Sequence, residues 1–543
     1  MSSAQNAPPA GLRRLRRLAI GGVLVLTVLA AATAAPSPWI AAPAAAQAAA
    51  KQRDAREGDA REARVLPADS TTEHAIELAD RTLRFRATAG SIPIRTLEGK
   101  LLAEVAYVAY LRADVPAATR PVTFAFNGGP GAASAYLQLG AMGPWRLPLD
   151  KVTPAMTPSV VPNAETWLDF TDLVFIDPAG TGYSRMHASG DERKRLWSVD
   201  GDAEANATFI RKWVEGAGRH LSPKYIAGES YGGFRALKVT RALRGTGING
   251  LVLVSPVLDF GWRGHASHAP LAWVTRLPSM HAAAREATAP FDREALREVE
   301  RYAAGAYLID LLRGPRDGEA VARISARVAE LTGLDAALVR RLGGRVDTST
   351  FLRELRRDRG LVASAYDATV SGFDPEPHAA SSRRGDPMLN AMSRPLSSAM
   401  VDLYQGVLQW RVEAPYRLLN REVEWDWGRG RTTHHIVDDL RDMLALDPNL
   451  RVLVTHGASD LVTPYFESQL IIDQLPAYGA AERLRLAVYG GGHMFYSRDT
   501  SRRSLREDAE RLYGAAAPAA GEQRTMREPG GGGPTTIERA VAR

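Results

Sequence analysis

There is no cysteine anywhere in the 543 residues. That excludes disulfides, thiolate metal ligands, a cysteine nucleophile and a lipidated N-terminal cysteine, whatever the compartment. Missing as well is any basic stripe interleaved with aromatics. The chain carries a net charge of +7, but part of the excess gathers near its ends. Arg13, Arg14, Arg16 and Arg17 form one cluster, and Arg524, Arg527, Arg539 and Arg543 another. A nucleic-acid partner is therefore not expected. The apolar run from Leu18 to Ala32 contains Gly21 and Gly22 and falls short of the ~20 residues a bilayer span needs. With arginines before it and Ala32-Thr33-Ala34 or Ala44-Ala45-Ala46 as a cleavage site, residues 1–35 read as an export signal. The Arg-Arg pairs also fit a twin-arginine signal. A periplasmic or secreted protein follows, in contact with a membrane only if the signal stays uncleaved. An exported chain without cysteine suits a bacterial envelope, where stability need not rest on disulfides.

What is present is ordinary for a globular protein: 45% apolar and 24% charged residues. The length allows one large α/β domain with insertions, or two domains. Residues 36–75 are rich in Ala, Pro and charge and read as a linker. Two strand-like runs follow, Thr82 to Arg86 and Glu104 to Leu111, with Ala89-Gly90-Ser91 as a turn between them. Buried strands are expected at Pro121–Phe126, Leu173–Ile176, Lys224–Ala227 and Leu251–Val254. A helix over Ala203–Glu215 shows Phe209, Ile210, Trp213 and Val214 on one face. Strands alternating with helices at this spacing imply a mostly parallel sheet covered on both faces.

From about Asp259 to Leu440 the strand pattern gives way to Ala-, Leu- and Arg-rich helices, such as Asp292–Leu312 and Gly318–Leu331. The polar stretch Ser371–Arg384 reads as a loop. The sheet pattern returns at Arg451–Thr455 and Leu484–Tyr489. The organisation is thus a core over 76–260, a helical cap insertion over 261–440, the rest of the core over 441–514, and a disordered tail over 515–543. The neighbours His434 and His435 cannot share a helix face, so no metal site is expected there.

Chemistry concentrates at strand ends. Lys224–Ala227 runs into Gly228-Glu229-Ser230-Tyr231-Gly232, a G-x-S-x-G with a helix-compatible run after it. This is the setting of a nucleophile elbow, where glycines two before and two after the serine remove clashing Cβ atoms. Asp460 follows the strand Arg451–Thr455, and His493 follows Leu484–Tyr489. Singly, Ser230 could start a helix, Asp460 cap a turn and His493 sit as a satisfied loop histidine. Together, each on a strand-end loop and in the order Ser–Asp–His, they match an α/β-hydrolase triad. Ser230 would be the nucleophile, His493 the base and then the acid, and Asp460 the group that orients His493. The amides of Tyr231 and of Gly129, in the glycine-rich turn Asn127-Gly128-Gly129-Pro130-Gly131, would form the oxyanion hole.

Four segments then carry a family resemblance: Asn127–Gly131, Asp177-Pro178-Ala179-Gly180-Thr181-Gly182-Tyr183-Ser184, Gly228–Gly233 and Gly492-His493-Met494. In this order they resemble the motifs of the serine carboxypeptidase family, over about Thr82 to Tyr513. The resemblance implies an α/β-hydrolase fold, no metal or organic cofactor, and removal of C-terminal residues from a peptide substrate through an acyl-enzyme. It implies that Asn127, Gly128 and Glu229 bind substrate, with Asn127 and a protonated Glu229 on its terminal carboxylate, which favours acidic pH. The chain departs from the pattern at Ala141, where a second glutamic acid is expected, and at Ala132, where the family has a cysteine. The incomplete clamp keeps an esterase or acyltransferase in view, and behind it a non-catalytic binding protein.

Overall fold

The computed structural model describes residues 64–516 apart from 118, 244, 264–268, 287–288, 380–384, 429–433 and 480–482. The expected export signal, most of the linker and all of the tail beyond residue 516 lie outside the described residues. So does one of two contact-defined units, Met1–Ala60; the other, Arg61–Arg543, holds everything below.

The centre is a ten-stranded mixed sheet. Its strands are β1 (Ser70–Glu77), β2 (Thr82–Arg95), β3 (Leu101–Arg112), β4 (Val122–Phe126), β5 (Asp172–Ile176), β6 (Lys224–Glu229), β7 (Gly250–Val254), β8 (Arg451–Gly457) and β9 (Leu484–Tyr489). The spatial order is β1-β2-β3-β5-β4-β6-β7-β8-β9, with the short strand Arg185–Met186 also beside β3. The β1/β2, β2/β3 and β3/β5 pairs are antiparallel, and every pair from β5/β4 to β8/β9 is parallel. This is the α/β-hydrolase fold.

Strands β4 to β7 are buried at every position, as parallel strands covered on both faces must be. Side-chain alternation then divides the core. From β4 and β7, Phe124, Phe126, Leu251 and Leu253 enter one cluster, while Ala125, Val252 and Val254 enter the other. Helices α1 (Val199–Gly216) and α2 (Tyr231–Ala242) cover the first face through Phe209, Trp213, Phe234 and Leu237. The second face is closed by Trp167 and, near the end of the described chain, by Leu505, Ala509 and Tyr513.

Three expectations need correction. The linker does not reach residue 75, because β1 occupies Ser70–Glu77 and pairs along its length with β2. Its Ser-Thr-Thr-Glu-His run hides a period-two burial pattern behind polar side chains. Nor is there a turn at Ala89-Gly90-Ser91, since β2 runs straight through it. A Cβ on Gly90 would lie 2.2 Å from the Asp69 carboxyl, so the glycine serves a close approach, and the turn comes at Thr96–Lys100.

The third concerns 261–440, expected as a helical cap insertion: it also holds a strand pair, and one of its helices packs into the main core. Helices α3 (Leu277–Glu286), α4 (Arg293–Tyr302) and α5 (Gly318–Thr332) build a separate apolar cluster with Leu461, Tyr465 and Phe466, after β8. In contrast, α6 (Pro387–Asp402) places Met388, Met392 and Leu396 in the main core. Between them Leu361–Ala363 and Ser371–Phe373 form a hairpin, its second strand at the start of the stretch expected as loop. Bridges of Leu419 to Ala132, Arg417 to Gly182 and His435 to Asp259 stitch the returning chain to the core.

Candidate active site

Ser230 stands where β6 ends and α2 begins. Its backbone is at φ 61° and ψ −125°, a region a non-glycine residue occupies only when its surroundings hold it there. The surroundings are on both sides. Its amide donates to Val254 O at 2.9 Å, and α2 starts with its next residue. A Cβ on Gly228 would fall 2.0 Å from Gly232 O, and one on Gly232 would fall 2.7 Å from Phe126 O. The half-buried serine therefore projects from a turn that admits only glycine two residues to either side.

The loops after β8 and β9 meet each other. His493 Nδ1 donates to Asp460 Oδ2 at 2.8 Å, and both residues are buried. That bond fixes the tautomer with the proton on Nδ1, so Nε2 is the basic nitrogen. Asp460 also accepts from the amides of Val462 and Thr463, at 2.8 and 2.9 Å, and from the Thr463 hydroxyl at 2.6 Å. Burial works against its ionisation, but the His493 charge and these hydrogen bonds outweigh it, and its pKa is lowered. Ser255, just past β7, ties the elements together. Its hydroxyl donates to His493 O at 2.8 Å, its carbonyl lies 3.0 Å from the Thr463 hydroxyl, and β7 itself holds the Ser230 amide.

The glycine-rich turn sits against the start of α2. A Cβ on Gly128 would be 2.6 Å from both the Tyr231 and Gly232 amide nitrogens, so the turn and the elbow share one surface. Among the described residues neither the Gly129 nor the Tyr231 amide has an acceptor. Two free donors beside Ser230 are what an oxyanion hole requires. The turn is braced from below. Arg235 donates to Asn127 O at 2.5 Å and to Asp202 at 2.6 Å, in a buried ion pair.

Next to the nucleophile, Glu229 is buried and its Oε2 accepts from Asn127 Nδ2 at 2.7 Å and from the Tyr496 hydroxyl at 2.6 Å. Burial pushes its carboxyl up to about 7, against the opposing pull of His493 and these two donors. Near neutrality Glu229 is thus poised between a hydrogen-bond donor and an anion. Ala141 is fully buried in the turn Gln138–Met142, and Tyr496 packs there, where a Cβ on Gly140 would lie 2.7 Å from its ring. The polar group facing Glu229 comes from the loop after His493 and not from the insertion.

The structure thus joins Asp460 to His493 and Asn127 to Glu229, and packs the Gly128–Gly129 turn against Tyr231, the residue after Ser230. Asp177–Ser184 is a wall rather than a chemical group: Asp177 accepts the Ser134 amide at 2.8 Å and Ser184 bonds Asp177 O at 2.5 Å. His434 and His435 belong to no cluster of potential metal ligands among the described residues. Sequence reasoning missed Tyr496, Ser255 and Thr463. Only their positions, three residues past a catalytic candidate or directly after a buried strand, could have drawn attention to them.

Fold and strand-end loops define an α/β hydrolase. Within that class, the family model that matches is that of serine carboxypeptidases, over residues 80–242. The match takes in Asn127–Gly131 and the Ser230 elbow but neither Asp460 nor His493, a narrower span than the motifs suggest. The chain is 37% identical over 120 residues to the pheromone-processing carboxypeptidase KEX1 of Paracoccidioides lutzii, covering 22% of this chain and 17% of that protein. It is 28% identical over 203 residues to serine carboxypeptidase-like 36 of Arabidopsis thaliana, covering 34% and 38%. The chain thus spans about a sixth and under two fifths of the length of these curated relatives. Both are eukaryotic, so neither supports a bacterial type. Proline iminopeptidase of Mycobacterium smegmatis is similar over 82% of this chain and all of its own, at 15% identity and a TM-score of 0.33, too distant to inform the site.

Proposed function

We propose that this protein is an exported serine carboxypeptidase, which removes C-terminal residues from peptides through an acyl-enzyme on Ser230. The observation that carries the reading is the Asp460–His493 pair together with the Asn127–Glu229 pair, in which Glu229 directly precedes one strained serine and feels the charge of His493. His493 Nε2 takes the Ser230 proton as Oγ attacks the carbonyl carbon. The Gly129 and Tyr231 amides receive the oxyanion, and His493 returns the proton to the leaving amino acid. Water then repeats the sequence on the acyl-enzyme.

The carboxylate of the leaving residue is held by Asn127 and Glu229. With Oε2 of Glu229 already accepting two donors, the proton of the neutral acid rests on Oε1 and is free to be donated. Tyr496 does part of what a second carboxyl would do: burial and Glu229 keep its hydroxyl protonated, so it stays a donor. This supports the peptidase over the esterase or acyltransferase that Ala141 alone would favour. Export rests on residues 1–35. Among the described residues no helix is long and apolar enough to cross a membrane.

The test is a comparison of N-blocked dipeptides with their C-terminal amides and with simple acyl esters, between pH 5 and 8. Faster cleavage of the free acids at the acidic end is expected. Equal rates on acids and amides would reject the exopeptidase, and ester turnover without peptidase activity would favour the esterase.

A further inference from the structure

One segment of the insertion runs between the two loops that carry the acid and the base. Ala365 O accepts from Leu461 N at 3.1 Å, Tyr366 O accepts from His493 N, and Ala368 N donates to Ser459 O at 3.3 Å. Asp460 is therefore held on both sides, and His493 at its own amide, by three residues of one short stretch from elsewhere in the chain. A Cβ on Gly492 would lie 2.0 Å from Tyr366 O and 2.4 Å from Asp367 Cα, so the segment fits flush against the histidine loop.

At its centre Asp367 is 2% exposed. Its Oδ1 accepts from the Ser459 hydroxyl at 2.9 Å, the Thr369 amide at 3.0 Å and the Thr369 hydroxyl at 2.7 Å. Its Oδ2 accepts from the Gly492 amide at 3.1 Å and Arg498 at 2.9 Å. One carboxylate thus links the residue directly before Asp460 to the residue directly before His493. A buried carboxylate needs its lone pairs satisfied and a positive partner, and Arg498 supplies the latter. Among the described residues, its side-chain bonds reach the two catalytic loops, Thr369 and Arg498.

We infer that Asp367 is a positioning residue: the insertion uses it to set the separation and orientation of Asp460 and His493. The inference rests on the reading of Ser230, His493 and Asp460 as a catalytic triad. It makes this part of the insertion a component of the acyl-transfer machinery, not a cover over it. In Asp367→Asn the shape is kept, but an amide nitrogen in place of Oδ2 would face two donors, the Gly492 amide and Arg498. Turned the other way, the amide nitrogen would face the Thr369 N–H; in either orientation the negative charge opposite Arg498 is lost and the link between the two loops is weakened, and a misplacement of about 1 Å costs about a hundredfold in rate.

The experiment measures the second-order rate constant for modification of Ser230 by a fluorophosphonate, normalised to the final labelled fraction. Alongside it go kcat and KM on an acyl ester and the thermal midpoint. Asp367→Asn is expected to label to the same final extent about a hundredfold more slowly, with kcat reduced and KM within about twofold. Ser459→Ala, which removes one bond of the network and keeps the carboxylate, should slow labelling by about fivefold. It carries the test if Asp367→Asn does not fold. Labelling of either folded variant within twofold of the wild type, with only the thermal midpoint lowered, would overturn the inference and leave the hydrolase reading intact. A wild type that does not react would overturn both.

Discussion

Replacing Glu229 by Gln keeps the shape of the side chain and removes its titration. With a carboxyl pushed up to about 7 by burial, roughly nine-tenths of the wild-type molecules carry a protonated Glu229 at pH 6 and about one-tenth at pH 8. Only the protonated form donates to a substrate carboxylate; the ionised form repels it. Affinity for peptide acids should therefore fall about tenfold between pH 6 and pH 8, or about 1.4 kcal/mol. Glu229→Gln keeps a donor at every pH, so its KM should stay flat across that range. Stability gives an independent reading. A carboxyl whose folded pKa lies above its unfolded value of 4.5 holds its proton longer in the native state, so stability is lost as pH rises from about 4.5 to about 7. The loss comes to about 3 kcal/mol, and the Gln variant should not show it. The assays are KM for an N-blocked dipeptide and for its amide at half-unit steps of pH, with urea unfolding at pH 4.5 and 8. A Gln variant that loses affinity for acids along the wild-type curve would refute the reasoning, as would a wild-type KM for acids that does not change with pH.

Other predictions follow from the same geometry. Tyr496→Phe removes a donor that lowers the Glu229 pKa, so the alkaline fall in peptidase activity should move to higher pH, with about 1 kcal/mol of stability lost; a pH profile of kcat/KM and urea unfolding read both. Arg235→Met leaves Asp202 buried without its charge partner and Asn127 O without its donor. It should cost about 3–5 kcal/mol in urea unfolding and reduce activity in whatever fraction remains folded. Asp460→Asn frees the wrong tautomer of His493 and should lower kcat by on the order of 10⁴ with the fold retained, as circular dichroism and steady-state kinetics together would show.

Much of this was legible in the sequence because burial on both faces writes a plain signal. The five-residue runs of β4, β5 and β7 are buried throughout, and the candidate triad residues follow β6, β8 and β9 in the same parallel half of the sheet. The glycine-rich turn and the elbow were readable for a related reason: backbone so tightly packed admits little but glycine, and the clash distances at Gly128, Gly228 and Gly232 show why. Signals that depend on a partner far along the chain were not readable. Gly90 looks like a turn until Asp69 is seen beside it. β1 looks like linker because one of its faces is polar and open to solvent. Tyr496 and Asp367 look unremarkable because their roles come from loops that only the folded topology brings together, 267 residues apart for Tyr496 with Glu229 and 125 for Asp367 with Gly492. The insertion hides its division of labour likewise: α3 to α5 and α6 all read as helix in the sequence but pack into different clusters.

The central claim is that Ser230 forms a covalent acyl-enzyme. Its most direct measurement is intact-mass spectrometry with peptide mapping after exposure to a fluorophosphonate, on the wild type and on Ser230→Ala. The account predicts one adduct per chain, located on Ser230 and absent from the variant. An unmodified wild type, or an adduct that survives in Ser230→Ala, would contradict it.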